Sequence, residues 1–404
     1  MKISVSDLYN SKIFLILTML AFYKPGIFNY LSQFKMVNLV YNILQIAIVI
    51  IILIFSFISK KKSKIITNIS VFYCALLICT IINNGKTFSV LKTLLYLWAF
   101  VLFVDQAMQK NAKLFVKVGH GVLGVLALIN LISVVACPNG LFVTEYYHNK
   151  FYFMNTKNGF IGFILPFVIL GLLNYNIEKN VKNMCYLIFD FFIAFFTMVL
   201  GDSSTGLLTF IILMVQILFV CNKKAFTKIA KIFIYLLIIF TIGIVFFRIQ
   251  YYFSNIIEEI FHKSADLSMR TEIWDVAIKM IKKRPISGFG WDINNGNILI
   301  GSTYYYSHNM LLEIMVSGGI LALMAFLGIY MRIFNKIKNS KITCNGIWYV
   351  LMGLICYTIL AITEAPLASY GFYMLFVIAY SDYFYKEEGG EKGFYEKNII
   401  GKSR

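Results

Sequence analysis

Two residues four positions apart, Arg270 and Trp274, form the first candidate site in the chain. Residues spaced i, i+4 lie on the same face of a helix, and here that face is apolar because Ile273 and Ala277 share it. An arginine on an apolar face needs an anion or a carboxylate as partner, and a guanidinium can hold a phosphate through two hydrogen bonds. The spacing indicates an anion-binding arginine, with a structural ion pair or a headgroup contact as alternatives.

The pair His308-Asn309 stands where a long polar loop ends and an apolar run begins. An imidazole can accept a proton from a sugar hydroxyl at neutral pH, and the dipole of a helix that begins here favours its neutral form. His308 is therefore a candidate general base, with a capping or interfacial histidine as the alternative. Glu313, one turn beyond Asn309, is also a candidate functional residue, although no role is assigned to it, because an acid inside a span is usually functional.

Further candidate residues flank this long loop. Arg248 and Glu364 are charges at the ends of apolar runs, on the same predicted face as His308. The segment Pro285–Gly290 is a glycine turn, too short and isolated for a nucleotide-binding loop. It precedes aromatic residues that either stack on sugar rings or belong to the interfacial belt, namely Trp291, Tyr304, Tyr305 and Tyr306.

The element that must position Arg270 is a helix predicted over Met269–Lys283. Asp266 or Ser268 can cap its start, and Pro285 stops it. Its apolar stripe is short, and cations fill its last turn. We expect an amphipathic helix that lies against a helix bundle or against lipid headgroups.

The chain as a whole is a membrane protein by composition. Of its 404 residues, 59% are hydrophobic and 14% charged, against roughly 25% charged in soluble domains. A span needs about 20 apolar residues, which predicts an all-α polytopic transmembrane bundle, a single membrane domain over 1–404, of about 12 spans. These lie near 13–31, 38–58, 67–83, 88–105, 114–136, 159–176, 183–201, 203–221, 229–247, 308–330, 346–363 and 368–384.

The charge pattern predicts the orientation of these spans. The chain has 37 Lys and Arg against 19 Asp and Glu, a net charge of +18, and most of the cations fall in alternate connections. The positive-inside rule then puts both termini in the cytoplasm and needs no nucleic acid partner. It makes 248–307 one large extracytoplasmic loop and 385–404 a disordered cytoplasmic tail. We expect a multi-pass protein of the cell membrane.

Metal and cofactor chemistry is not indicated. The chain has no Asp-x-Asp pair, no Walker-type loop and no metal-ligand spacing of Cys or His. We therefore expect neither metal nor cofactor, and interpret the basic outer loops as neutralising a pyrophosphate. Asp190, a lone acid within a span, is expected to pair with a polar group. We expect His120, His148 and His262 to be structural or solvent-facing.

At this point the long loop resembles the signature region of the O-antigen ligase/polymerase family. The sequence has the pattern R-x3-W-x2-A-x7-P-x2-G-x-G, then H-N, then a double glycine in the next span. The residues are Arg270, Trp274, Ala277, Pro285, Gly288, Gly290, His308, Asn309, Gly318 and Gly319. Asn155 and Asn158 resemble the family's asparagine-containing turn, and the layout of spans with one large outer loop is similar too.

The resemblance implies a metal-independent, GT-C-like glycosyltransferase whose donor is a glycan on undecaprenyl pyrophosphate. On this interpretation Arg270 binds the pyrophosphate, with Arg248 or Arg284 as second arginine, and His308 takes the proton of the acceptor hydroxyl. Displacement is direct, with inversion. The implied substrate-binding residues are Arg248, Arg284, Asn309, Trp274, Glu364 and Asn158.

The acceptor is less defined than the donor. A bias towards Ile, Lys, Asn, Tyr and Phe suggests an AT-rich, Gram-positive genome, without lipopolysaccharide to ligate. This favours a repeat-unit polymerase for capsule, exopolysaccharide or O-antigen, with a flippase and a chain-length regulator as further partners. A ligase for another acceptor, or a flippase or transporter, are the alternatives. A transporter predicts charges along a midplane path, whereas the charges here gather at the outer surface.

Overall fold

A computed structural model of the chain describes residues 5–59, 62–143, 150–218, 269–292 and 296–387, together with 239, 242–243, 245, 247–248 and 252. Six helices in these ranges are long and apolar enough to cross a membrane, and four further apolar helices are shorter. The chain is thus a multi-pass membrane protein. Most of the predicted span 229–247 lies outside the described residues, as do His148, His262, Asp266 and Ser268.

The helices begin and end close to the predicted spans. In chain order they are α1 Val5–Asn10, α2 Lys12–Phe22, α3 Ile27–Tyr30, α4 Lys35–Ile58, α5 Lys64–Ile82, α6 Thr87–Ala136, α7 Ile161–Ile177, α8 Val181–Leu200, α9 Ser204–Leu218, α10 Arg270–Lys283, α11 Met310–Asn339, α12 Gly346–Leu360 and α13 Tyr370–Tyr380. The first predicted span, 13–31, is broken after α2, where Pro25 lies between α2 and α3.

Two predicted spans, 88–105 and 114–136, form the halves of α6. Asn111 breaks the helix between them, with φ −153° and ψ 77°. Its side chain accepts a hydrogen bond from the Leu114 amide at 3.1 Å and donates one to Asn10 at 3.0 Å. The break therefore carries its own cap, as a helix start requires.

The structure contains short strands, which the predicted all-α class does not include. Among the described residues, the connections contain three antiparallel pairs: β1 Phe142–Val143 with β2 Lys150–Phe151, β3 Ile298–Ile300 with β4 Thr303–Tyr305, and β5 Ser340–Ile342 with β6 Tyr385–Glu387. The last pair means that 385–387, predicted as the start of a disordered tail, is a strand, because the free edge of β5 offers its backbone hydrogen bonds. Residues 388–404 lie outside the described part.

Segments predicted to share one face of the membrane contact one another. On the predicted outer face, Lys86 pairs with Asp292 at 3.0 Å. On the predicted inner face, the Ser63 amide donates to Asp105 at 3.2 Å. Within the bundle, Asp190 accepts a 2.7 Å hydrogen bond from His120, which confirms that this acid has a polar partner.

The predicted amphipathic helix is α10, and it packs on the bundle. Ile273, Trp274 and Ala277 are buried against Leu312 and Val316 of α11. The helix starts after Met269, whose φ is 68° and whose side chain makes no cap. Its last turn holds Lys282 and Lys283, as predicted.

The glycine turn after α10 docks into a break in α11. Gly319 interrupts that helix with φ 60° and ψ −158°, which frees backbone groups on both sides. The amides of Phe289 and Gly290 donate to the carbonyls of Val316 at 2.7 Å and Ser317 at 2.9 Å, and the Ile320 amide donates to Pro285 O at 2.9 Å. The turn therefore completes the hydrogen bonds that the broken helix lacks.

Glycine is required on both sides of this junction. Gly288 has φ 60°, and a Cβ there would lie 2.5 Å from Val316 O. At Gly319 a Cβ would lie 2.2 Å from Ile286 O. The signature glycines thus have a structural role, which is to let two backbones touch and so to fix α10 on α11.

Candidate active site

An ion pair joins α10 to the segment after α12. Arg270 donates to Glu364 Oε1 at 2.8 Å, and the two side chains are only 14% and 11% exposed. A buried pair of this kind is a charge-assisted hydrogen bond. The expectation that this arginine meets a carboxylate or an anion is confirmed.

His308 and Tyr306 complete a four-residue group, which we call the Arg270 cluster (Arg270, Tyr306, His308 and Glu364). His308 Nδ1 lies 3.6 Å from Glu364 Oε2, and the Tyr306 hydroxyl donates to the same oxygen at 3.4 Å. The rings of Tyr306 and His308 lie 4.0 Å apart between centroids. His308 Nδ1 is buried and has no hydrogen-bond partner among the described residues.

Ser307 fixes the position of His308 through three hydrogen bonds. Its amide donates to Glu313 Oε2 at 2.8 Å, its carbonyl accepts from Trp274 Nε1 at 2.8 Å, and its hydroxyl donates to Asn309 O at 2.7 Å. These bonds hold His308 in a left-handed conformation with φ 48°, which a non-glycine residue adopts only when its surroundings impose it.

Asn309, predicted to bind substrate, is the N-cap of α11. Its Oδ1 accepts from the Leu312 amide at 3.1 Å, and its Nδ2 donates to Ile362 O at 3.0 Å. The side chain is fully buried, and both its oxygen and its nitrogen make hydrogen bonds within the protein. Through Ile362 it ties the start of α11 to the segment that carries Glu364.

Arg248 supplies a second guanidinium beside the first turn of α10. It donates to Thr271 O at 3.1 Å, pairs with Asp275 and lies 5.7 Å from the centre of the Trp274 ring. Its Nη1 is buried without a hydrogen-bond partner among the described residues. Arg248 therefore lies beside the residue that follows Arg270, at the start of α10.

Arg284 lies at the other end of α10. The fourteen-residue helix separates it from Arg270 by about 20 Å at 1.5 Å per residue. It bonds to Asn83 and stacks on Phe289 at 4.8 Å. Of the two candidates for the second arginine, Arg248 is the one beside Arg270, and Arg284 is too distant to share its anion.

Two other predicted substrate contacts lie elsewhere. Trp274 is fully buried and donates to the loop backbone, so a contact with substrate is not available to it in this structure. Asn158 is half-buried in a short 3-10 turn, Lys157–Gly159. No hydrogen bond among the described residues joins it to the Arg270 cluster.

Burial determines the protonation state of Tyr306 in the Arg270 cluster. Burial, and next the charge of Glu364, raise the pKa of the Tyr306 hydroxyl well above its usual value. Tyr306 is therefore a neutral donor at physiological pH and cannot act as a base. The arrangement offers two guanidinium groups for an anion and one imidazole for a proton.

Sequence reasoning missed the contributions of Tyr306, Ser307 and Glu313. Tyr306 is predicted either to stack on a sugar ring or to belong to the interfacial belt, whereas its position two residues before His308 is the signal that it lies in the site. Glu313 was considered for its charge alone, whereas it accepts from Ser307 N, and its Oε1 accepts from Ser317 at 3.4 Å. Nothing in the spacing reveals that Ser307 is held on three sides.

Comparison with known proteins bears on one region of the chain. Residues 189–327 match a family model described as O-Antigen ligase. This region contains Arg248, Arg270 and His308, whereas Glu364 lies beyond it. No curated protein matches the chain. The resemblance stated from the loop residues is confirmed over residues 189–327, where the chain is similar to the O-antigen ligase/polymerase family.

Proposed function

We propose that the protein joins lipid-linked glycans, transferring a glycan from undecaprenyl pyrophosphate to a hydroxyl of a second lipid-linked repeat unit. One observation carries the proposal. Buried polar atoms of Arg248 and His308 have no hydrogen-bond partner among the described residues. His308 lies beside the Arg270–Glu364 pair, and Arg248 contacts Thr271, the residue after Arg270. Cations and a proton acceptor are what this transfer requires.

Arg270 and Arg248 would bind the pyrophosphate of the donor. In the transfer, the bond between the sugar carbon and the pyrophosphate oxygen breaks, and its electron pair stays on that oxygen. Two guanidinium groups in a half-buried site stabilise the charge that develops there. Arg270 can face a pyrophosphate and keep one hydrogen bond to Glu364, because a guanidinium has five N–H donors.

His308 would take the proton of the acceptor hydroxyl as that oxygen forms its bond to the sugar carbon. Glu364 lies 3.6 Å from Nδ1 and would stabilise the imidazolium so formed. Direct attack by the acceptor inverts the anomeric carbon. No step in this scheme uses a metal ion, in keeping with a metal-independent, GT-C-like enzyme.

We place the reaction at the outer face of the cytoplasmic membrane, with both termini inside. Tyr304, 48% exposed in β4, provides a test by the Tyr304→Cys variant. A membrane-impermeant maleimide should label this variant above the parent chain in intact cells. Labelling that requires permeabilised cells would contradict this orientation.

The acceptor distinguishes the polymerase from the ligase of the family description. The glycans that accumulate after deletion of the gene, and disappear on complementation, distinguish a polymerase, a ligase and a flippase. A polymerase deletion leaves single lipid-linked repeats on the outer leaflet. A ligase deletion leaves long lipid-linked chains, and a flippase deletion leaves repeats on the inner leaflet.

Complementation should fail with His308→Ala and with Arg270→Ala. It should succeed with Lys279→Ala, which removes an exposed cation from the same helix. Polymer of normal amount and length from the first two variants would refute the proposal. Should a flippase and a chain-length regulator act beside this chain, their deletions would give different lipid-linked products.

A further inference from the structure

We infer that the far end of α10 holds the phosphate group of the second lipid-linked glycan, with Arg284 as its guanidinium ligand. The inference rests on the proposed function, because a transfer between two lipid-linked glycans needs two carriers bound at once. The Arg270 cluster accounts for one of them.

A shallow, widely open pocket of about 460 Å³ lies beside Arg284. Its lining comprises Ile82, Asn83, Arg284, Pro285, Ile286 and Ser287. Asn83 and the ring of Phe289 hold the guanidinium from two sides, so its orientation is set before a ligand arrives. The side chain is exposed, and a guanidinium has five N–H donors, of which Asn83 occupies only a part.

Exposed apolar side chains border the pocket. Ile82 and Ile286 line it and are each 63% exposed, and Phe88 in the next helix is 81% exposed. Exposed apolar side chains at the end of a spanning helix face the bilayer. The exposed Lys282 and Lys283 of α10 add positive charge nearby. The ligand class that fits is an anionic head on an apolar chain.

A second shallow pocket, of about 310 Å³, is lined by residues that follow those of the first along the same two segments. It is polar, with Asn84, Lys86, Asp292 and Asn297 among its lining residues. Amide and charged side chains both donate and accept hydrogen bonds, as sugar hydroxyls require. A phosphate at Arg284 would thus have its attached sugar in a polar pocket. This favours a lipid-linked glycan over an ordinary phospholipid.

The separation of the two sites suits two pyrophosphates. The length of α10 puts Arg284 about 20 Å from Arg270. That distance exceeds twice the Debye length of about 8 Å at physiological salt, so two bound pyrophosphates barely repel each other. One helix therefore carries both anion sites and sets the distance between them.

Binding stoichiometry tests the inference. The full chain in phosphatidylcholine nanodiscs is titrated with farnesyl pyrophosphate, and bound probe per chain is measured by equilibrium dialysis. We expect two molecules for the parent chain and for Lys279→Ala. We expect one for Arg284→Ala and one for Arg270→Ala. Asn83→Ala should weaken one site several-fold, because the guanidinium then loses its orientation.

Several results would overturn the inference. These are two bound molecules in Arg284→Ala, loss of a site in the Lys279→Ala control, and displacement of the probe from the Arg284 site by phosphatidylglycerol in the nanodisc. The last result identifies an ordinary headgroup site. Two molecules in Arg270→Ala with one in Arg284→Ala would contradict the proposed donor site and leave the Arg284 site in place.

Discussion

Replacement of Gly319 by alanine tests the junction between the glycine turn and α11. Its backbone, with φ 60° and ψ −158°, lies in a region that is essentially confined to glycine and costs other residues about 1–3 kcal/mol. The new Cβ would also meet Ile286 O at 2.2 Å, and such overpacking adds about 1–3 kcal/mol. We expect a total loss of about 2–6 kcal/mol in the free energy of unfolding.

Two control glycines separate these contributions. Gly301 also has φ 60°, but a Cβ there meets nothing within 4 Å, so Gly301→Ala should lose only about 1–2 kcal/mol. Gly121 lies within α6 and is also open to a Cβ. Gly121→Ala should gain about 0.5–1 kcal/mol, because alanine has the higher helix propensity.

Thermal unfolding of the purified variants in one detergent gives the order of their stabilities directly. The midpoint should fall from Gly121→Ala through the parent chain and Gly301→Ala to Gly319→Ala. Polymer synthesis should be lost only in Gly319→Ala, because the turn fixes α10 and thereby Arg270. Equal midpoints for Gly319→Ala and Gly301→Ala would refute the docking of the glycine turn as a source of stability.

Three further predictions concern the support of His308. Trp274→Phe removes the donor to the Ser307 carbonyl. It should lower the free energy of unfolding by about 1–3 kcal/mol and remove much of the transfer activity. The control Trp98→Phe, which removes a hydrogen bond to Ser70, should lower the unfolding midpoint and leave transfer unchanged. Glu313→Gln should destabilise by about 1–3 kcal/mol and slow transfer. Equal transfer rates in that variant and the parent chain would contradict a role of the Ser307–Glu313 hydrogen bond in positioning His308. Tyr306→Phe should keep the pH profile of transfer between about pH 6 and 9. The raised pKa of Tyr306 keeps its hydroxyl protonated throughout this range. The hydrogen bond from Tyr306 to Glu364 is therefore intact below the ordinary tyrosine pKa of about 10 and is lost only at higher pH. A shifted alkaline limb would contradict this assignment.

Local pattern was sufficient to predict α10 and most of the apolar helices among the described residues. The i, i+4 spacing of Arg270 and Trp274 put both side chains on the face that contacts the bundle, and the apolar runs gave helix ends within a few residues. The kink at Asn111 was also visible as two runs with a polar gap. These features depend on residues near one another in sequence, so periodicity reveals them.

Contacts between distant segments could not be predicted in this way. Arg270 and Glu364 are separated by 94 positions, and nothing in either segment names the other. The predicted length of α10 already separates Arg284 from Arg270, but only the packed structure shows that Arg248 lies beside the first turn of that helix. Asn309 and Trp274 are substrate contacts on the family resemblance, whereas in the structure both side chains are fully buried and make hydrogen bonds within the fold.

The most direct test is transfer by the purified chain in nanodiscs. The substrate is an undecaprenyl-pyrophosphate-linked repeat unit, and the released undecaprenyl pyrophosphate is measured. His308→Ala should lower the rate by about 10²–10⁴ and Arg270→Ala by about 10²–10³, with Lys279→Ala unchanged. Rates near that of the parent chain in both His308→Ala and Arg270→Ala would contradict a reaction centred on the Arg270 cluster.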